Sequence, residues 1–318
     1  MIGSRSIWAK IASALVFLAL TLSPPAAMSQ QTHWRADYFP NVVLTDQNGR
    51  QLRFYDDIIR GKIVSINFIY TSCTDICPLD TAQLRRVQQI IGDRIGRDIH
   101  MYSISVDSAN DTPATLRRFM RSYDIQPGWT FLTGSREDVD LLQRRLGITP
   151  IEPGQRLSEH DTSIVVGNET TGQWIRRSAY ENPALLANLL TSRLQNHAPT
   201  AEATQSYAVA GRVTDTSNGA YLYRTRCRSC HTIGEGDRLG PDLAGVTASR
   251  PHDWLARWIR EPDVMLAEGD PTATAMLPRY RNLPMPNLGL GREDVDSILT
   301  YLREQDAARA QGAAARRP

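Results

Sequence analysis

The sequence predicts an α/β domain followed by an all-α domain, and three observations lead there. The chain has 318 residues, and at roughly 100–200 residues per domain that length suits two. Between residues 37 and 194, runs rich in β-branched and aromatic residues alternate with runs of helical spacing, the pattern of an α/β fold. From Gly219 to Arg303 the spacing is helical with no convincing strand, and residues 197–212, mostly small and polar, read as the linker between the two.

Each element has its own local reason. Phe39 and Val42-Val43-Leu44 precede Asp46-Gln47-Asn48-Gly49, and Leu52 and Phe54 follow, so residues 37–60 read as a hairpin about an Asn-Gly turn. Lys62 to Tyr70 reads as a buried strand. Pro78 opens a helix whose Leu84, Val87, Ile90 and Ile91 fall at helical spacing, proline being tolerated where no N–H is needed. Ile99 to Val106 is a second buried strand, and Thr112-Pro113 starts a helix through Leu116, Phe119 and Met120. Trp129 to Leu132 is a short strand and Ser135 to Leu146 a helix. Thr162–Val166 and Gln173–Ile175 read as a strand pair around a turn at Gly167-Asn168, and Pro183 to Leu194 closes the domain as a helix. In the second domain Arg292 to Arg303 is a final helix, and residues 307–318 read as a frayed, flexible tail.

Composition narrows the function classes. Hydrophobic residues make up 41% and charged residues 22% of the chain, which excludes wholesale disorder, a collagen-like rod and a polytopic membrane protein. Basic residues number 36 against 34 acidic, and removing residues 1–29, which hold Arg5 and Lys10 and no acid, leaves 34 of each. A balanced chain lacks the clustered cations that nucleic acid demands. Nor does it suggest an anionic membrane surface as partner.

Arg5 and Lys10 precede an apolar run from Ile11 to Leu22, broken by Pro24-Pro25 and followed by the small residues around Ala26-Ala27-Met28-Ser29. That order is a secretory signal, residues 1–29. The run is shorter than the roughly 20 residues that span a bilayer, so the membrane enters only through an N-terminal anchor left uncleaved. The destination is an oxidising compartment, most simply a periplasm.

The four cysteines form two close pairs, Cys73-x3-Cys77 and Cys227-x2-Cys230, the second followed by His231. Two structural disulfides are the plain alternative for an exported chain, but loops this short remove little unfolded-state entropy. Cys73 follows a buried strand and Cys77 precedes a helix, whose positive end lowers a nearby thiolate's pKa. Such a pair suits either a redox dithiol or a soft ion such as Cu(I), and the three-residue spacing leans toward the metal. An imidazole would complete a trigonal site, and His33, His100, His160 and His197 are the available ones in this domain or at its edges.

Cys227-Arg228-Ser229-Cys230-His231 is the C-x-x-C-H signature of one covalent haem c, with two thioethers from the cysteines and His231 as axial ligand to the iron. The opposite axial position takes Met or His. Met285 is the choice, because Leu283-Pro284-Met285-Pro286 is held extended by its prolines; Met276, Met265 and His252 are the alternatives.

Tyr70-Thr71-Ser72-Cys73-Thr74-Asp75-Ile76-Cys77-Pro78 resembles the CxxxCP motif of the Sco/SenC copper-delivery family. Asp107 with Asp111-Thr112-Pro113 resembles its D-x3-D-T-P segment, and Glu159-His160-Asp161 stands where that family has its metal-binding histidine. The resemblance covers roughly residues 36–196. It implies a thioredoxin-like (peroxiredoxin-like) domain over 30–196 that binds copper through Cys73, Cys77 and His160. Thr74, Ser108 and Glu159 depart from the family pattern without removing a ligand; Glu159 and Asp161 either orient His160 or are solvated acids. About residues 216–305 resemble a class-I cytochrome c, giving a cytochrome c domain over 213–306; the resemblance supports Met285 and implies that the Pro241 carbonyl accepts a hydrogen bond from His231. Trp254 and Trp258, four apart on a helix, can both face the haem or simply pack.

Together the resemblances imply a copper metallochaperone for the CuA subunit of cytochrome c oxidase; because a haem moves one electron and a disulfide needs two, the fused haem domain is expected to exchange single electrons with the copper site and with redox partner proteins. A thiol–disulfide oxidoreductase using Cys73 and Cys77, and a plain electron-carrier cytochrome, are the competing readings. Peroxide reduction is weaker, because the peroxiredoxin active-site pattern is absent.

Overall fold

The hairpin forms where the Asn-Gly signal places it. Strand β1 (Val43–Asp46) pairs antiparallel with β2 (Gln51–Arg53). Asp46 locks the turn, its Oδ1 accepting from the N–H groups of Asn48 and Arg50 at 2.8 Å each. A helical turn, Phe54–Ile59, leads into β3 (Ile63–Ile69), buried along its whole length. Then follow α1 (Cys77–Ile91), β4 (Ile99–Ser105), α2 (Pro113–Ser122), β5 (Trp129–Thr133), α3 (Arg136–Arg145), β6 (Ser163–Asn168), β7 (Gln173–Ser178) and α4 (Pro183–Thr191). The computed structural model describes residues 38–73, 77–151, 155–156, 161–195 and 217–314. The signal segment, the linker, Thr74, Glu159 and the histidines at 33, 160 and 197 lie outside them.

The seven strands form one sheet in the order β2-β1-β5-β4-β3-β6-β7. β3, β4 and β5 run parallel, which their crossover helices permit, while β1, β6 and β7 pair antiparallel. Side chains alternate across the sheet. Ile63, Ile69, Met101, Phe131 and Ile164 pack beneath α1, α2 and α4 on one face. Val64, Ile66, Phe68, Ile104 and Leu132 pack against α3 and the Phe54–Ile59 turn on the other. Helix starts are capped as their sequences direct: Thr112, Ser135 and Asn182 each accept from a backbone N–H two or three residues further on, inside the first turn.

The helical part comprises α5 (Asn218–Leu222), a further turn to Cys227, α6 (Val246–Ser249), α7 (His252–Arg260), α8 (Pro262–Ala267), α9 (Pro271–Met276) and α10 (Arg292–Ala314). Its core joins Leu222, Leu255, Ile259, Val295, Ile298, Leu299 and Leu302. Gly219 lets α5 and α10 cross closely, because a Cβ there would lie 2.1 Å from the Ser297 carbonyl oxygen.

Two readings of the sequence need correction. The residues read as a flexible tail, 307–318, are helical as far as Ala314. Alanine is the best helix former, and the last turns are tied down: the Asp306 carboxylate accepts from Gly245 N–H (2.7 Å) and the Thr247 hydroxyl (2.9 Å), and Arg309 donates to the Ile233 carbonyl (2.9 Å). Gly167 and Asn168 belong to β6 rather than to the turn, which falls at 169–172. Trp174 lies over Gly167 so closely that a Cβ would stand 2.2 Å from its ring, so glycine here serves cross-strand packing.

All described residues fall in one compact unit. Cys230, Leu239 and Leu283 of the helical part pack into the same cluster as Leu116, Phe119 and Tyr123 of the α/β part. Among the described residues no helix is long and apolar enough to cross a membrane.

Candidate functional site

Cys73 and Cys77 sit where β3 gives way to α1, both buried (8% and 1% exposed). The first N–H of α1, that of Cys77, donates to the Cys73 sulfur at 3.3 Å. The helix end is therefore spent on Cys73. Cys77 does not follow the sequence expectation of a lowered pKa: its hydrogen bond with Cys73 and its burial hold its thiol well above the usual range. Two adjacent buried sulfurs cannot both take a charge at the usual cost.

Asp111 supports this loop. Its carboxylate accepts from Thr71 N–H at 3.0 Å, from the Thr71 hydroxyl at 2.5 Å and from the Ser105 hydroxyl at 2.5 Å, and it is 1% exposed. The motif around Asp111-Thr112-Pro113 thus both caps α2 and fixes the approach to Cys73. Asp107 instead binds Asn110. Among the described residues no group of three His, Cys, Asp or Glu side chains converges to hold a metal; His160 lies outside them. Asp161 opens β6 by accepting from Ser163 N–H at 2.8 Å, the local role of an Asx turn. His100, in β4, stacks with Tyr102 at 6.3 Å, and burial lowers its pKa.

The second site is a cavity of about 360 Å³. Cys227, Cys230 and His231 line it from one side, and Met276 and Met285 also reach it; Met265 and His252 do not. Burial pushes the Cys227 and Cys230 thiols up to about 12. The imidazole Nδ1 of His231 lies 2.9 Å from the Pro241 carbonyl, which leaves Nε2 for a metal, and burial keeps the ring neutral. Gly240 makes room for the ring, since a Cβ there would lie 2.5 Å from His231 Cε1. Trp254 and Trp258, stacked at 5.6 Å, both line the cavity, as do Leu255, Ile259, Ile298 and Leu302. An apolar cleft with two thiols, a fixed neutral imidazole and facing thioethers fits a covalent haem.

The two sites share a boundary. A second cavity, of about 450 Å³, is lined by Thr71, Ser72 and Cys73 from the α/β part and by Asp263, Leu283, Met285 and Asn287 from the helical part. Pro78, Tyr123, Leu283 and Met285 line both cavities. Beside them lies a polar contact that spans the two parts. Asp80, in the first turn of α1, is 4% exposed, and its Oδ1 makes no hydrogen bond among the described residues. Burial, aided by the charge of Cys73 and opposed by Arg226, pushes its carboxyl up to about 8. The Arg226 guanidinium lies over the Tyr180 ring at 5.1 Å. Sequence reasoning missed Tyr123, Asp80 and Arg226, because nothing in their spacing marks an interface residue.

Comparison with known proteins agrees with this division. The SCO1/SenC family model matches residues 30–192 and the cytochrome c model residues 216–306. The SCO1 protein homolog of Bacillus subtilis is 28% identical over 133 residues, 41% of this chain and 65% of its own. Protein SenC of Rhodobacter capsulatus is 31% identical over 97 residues, 30% of this chain and 42% of its own. The chain thus spans less than two thirds of the length of these curated relatives. Bradyrhizobium japonicum ScoI, solved with copper bound, aligns with a TM-score of 0.40 at 26% identity, covering 48% of this chain and 96% of that one. The cysteine pair at a strand–helix junction of a thioredoxin-like domain and the C-x-x-C-H cleft behind it fall one in each matched stretch, and the chain belongs to the SCO1/SenC family with a cytochrome c domain following.

Proposed function

We propose that this protein is a periplasmic copper metallochaperone serving the CuA site of cytochrome c oxidase, and that its fused haem domain exchanges one electron at a time with the bound copper. Copper is the cargo. Cys73 and Cys77 supply two soft sulfurs and His160 an imidazole, a donor set suited to Cu(I). Transfer to the recipient subunit proceeds by ligand exchange, each incoming thiolate replacing an outgoing one.

The observation that carries the reading is the shared cavity wall: Cys73 and Met285, one from each site, line the same 450 Å³ space. A bound haem supplies a one-electron redox centre. His231, oriented by Pro241, and Met285 would supply the ligands to its iron, and Cys227 and Cys230 would anchor it. A disulfide takes two electrons and a haem moves one, so a haem beside this dithiol matches the Cu(I)/Cu(II) couple better than one-step thiol reduction.

The test is metal analysis with an optical spectrum of the exported full chain, beside its His160→Ala variant. About one copper and one haem per chain are expected, with copper affinity falling more than about tenfold in the variant. Unchanged affinity in His160→Ala, with thiol–disulfide exchange activity retained, would replace the carrier by a dithiol oxidoreductase.

A further inference from the structure

Tyr123 caps the C-terminal end of α2 and is 3% exposed. It belongs to the α/β domain by sequence, yet it lines both the cavity beside Cys73 and the cavity that holds Cys227, Cys230 and His231. Its ring lies against Phe119 at 4.6 Å, in a cluster that takes in Cys230, Leu239 and Leu283 from the other domain. Burial holds its phenol well above the usual range. One side chain therefore borders both sites. Pro78, Leu283, Pro284, Met285 and Pro286 occupy the same wall, but none offers a π system.

We infer that Tyr123 is the bridge through which the electron passes between the Cys73–Cys77 site and the haem-attachment site. This rests on the one-electron role proposed above. When Cu(I) at the cysteine pair becomes Cu(II), the one electron released reduces ferric haem to ferrous. Tyr123 is neither oxidised nor deprotonated along the way. Its aromatic ring, rather than its hydroxyl, supplies the close-packed path, and a gap in such a path forfeits contact on both sides.

The test uses the full chain carrying haem and copper, with intramolecular electron transfer followed after flash reduction. Tyr123→Phe should keep the wild-type rate within about twofold, and Tyr123→Leu should slow it by about tenfold or more. A Tyr123→Leu rate equal to wild type overturns the bridge and leaves the one-electron role standing. No transfer in the wild-type protein overturns both. A readout free of turnover comes from the wild-type protein alone: the Tyr123 ring resonances should shift between ferric and ferrous haem in the copper-free form, and broaden when Cu(II) is added. Resonances indifferent to either metal would refute the inference even if the leucine variant failed to fold.

Discussion

Replacing Gly240 by alanine should damage the haem site more than the size of a methyl group suggests. The new Cβ would lie 2.5 Å from His231 Cε1, 3.0 Å from Nδ1 and 3.1 Å from Nε2. The backbone has little freedom to retreat. Gly240 N–H donates to the Cys230 carbonyl at 3.0 Å, its carbonyl accepts from Arg238 N–H at 2.9 Å, and Pro241 follows. The imidazole must then move by about 1 Å to reach ordinary carbon contact. That displacement breaks the 2.9 Å contact between Nδ1 and the Pro241 carbonyl, about 1 kcal/mol. Overpacking adds roughly 1–3 kcal/mol, so the total is about 2–4 kcal/mol. Thermal unfolding of the haem-loaded chain should show Tm lowered by roughly 5–15 °C, and the reduced optical spectrum should change as the axial imidazole tilts. A variant with wild-type Tm and spectrum would show that His231 is not seated against Gly240 and would remove the geometric case for it as iron ligand.

Two further outcomes follow from the cysteine side. Asp111→Ala strips three donors of their acceptor, and at about 1–3 kcal/mol for each buried group left unsatisfied it should both destabilise the α/β domain and weaken copper binding; a competition titration that finds wild-type affinity in a folded variant would deny Asp111 its part in setting the Cys73 loop. Asp80 titrates near 8 in the folded chain against about 3.9 when unfolded, so between those values the folded state holds a proton the unfolded state lacks. Stability of the copper-free protein should therefore fall as pH rises toward 8, by up to about 1.4 kcal/mol per unit, and then level off. Asp80→Asn should flatten that slope, and urea unfolding from pH 5 to 8.5 that gives the two proteins equal slopes would refute it.

Much of this is legible in the residues themselves. Strands such as Ile63–Ile69 announce themselves by β-branched and aromatic runs, and the caps at Thr112, Ser135 and Asn182 mark helix starts within a residue. The cysteine spacings point to both candidate sites, because metal and haem chemistry demand ligands at set separations. What escapes are consequences of long-range packing. Nothing local distinguishes Gly167 facing Trp174 from a turn glycine, and the alanines after Asp306 look like a tail until Arg309 meets Ile233. A cysteine at a helix start reads as acidified, yet the helix end points at Cys73 rather than Cys77, and the two sulfurs share one burial. Tyr123 and Leu239 carry no local signal, and only the packing shows that the core they join belongs to two domains.

That shared core has a kinetic meaning. With Cys230, Leu239 and Leu283 seated among the side chains of the neighbouring domain, the partners are already assembled before any reaction begins. Neither has to find the other by diffusion, so exchange of the kind proposed would be first order and would not weaken when the protein is diluted. A free cytochrome would have to reach, by its own abundance, the effective concentration of order millimolar that a tether alone can provide.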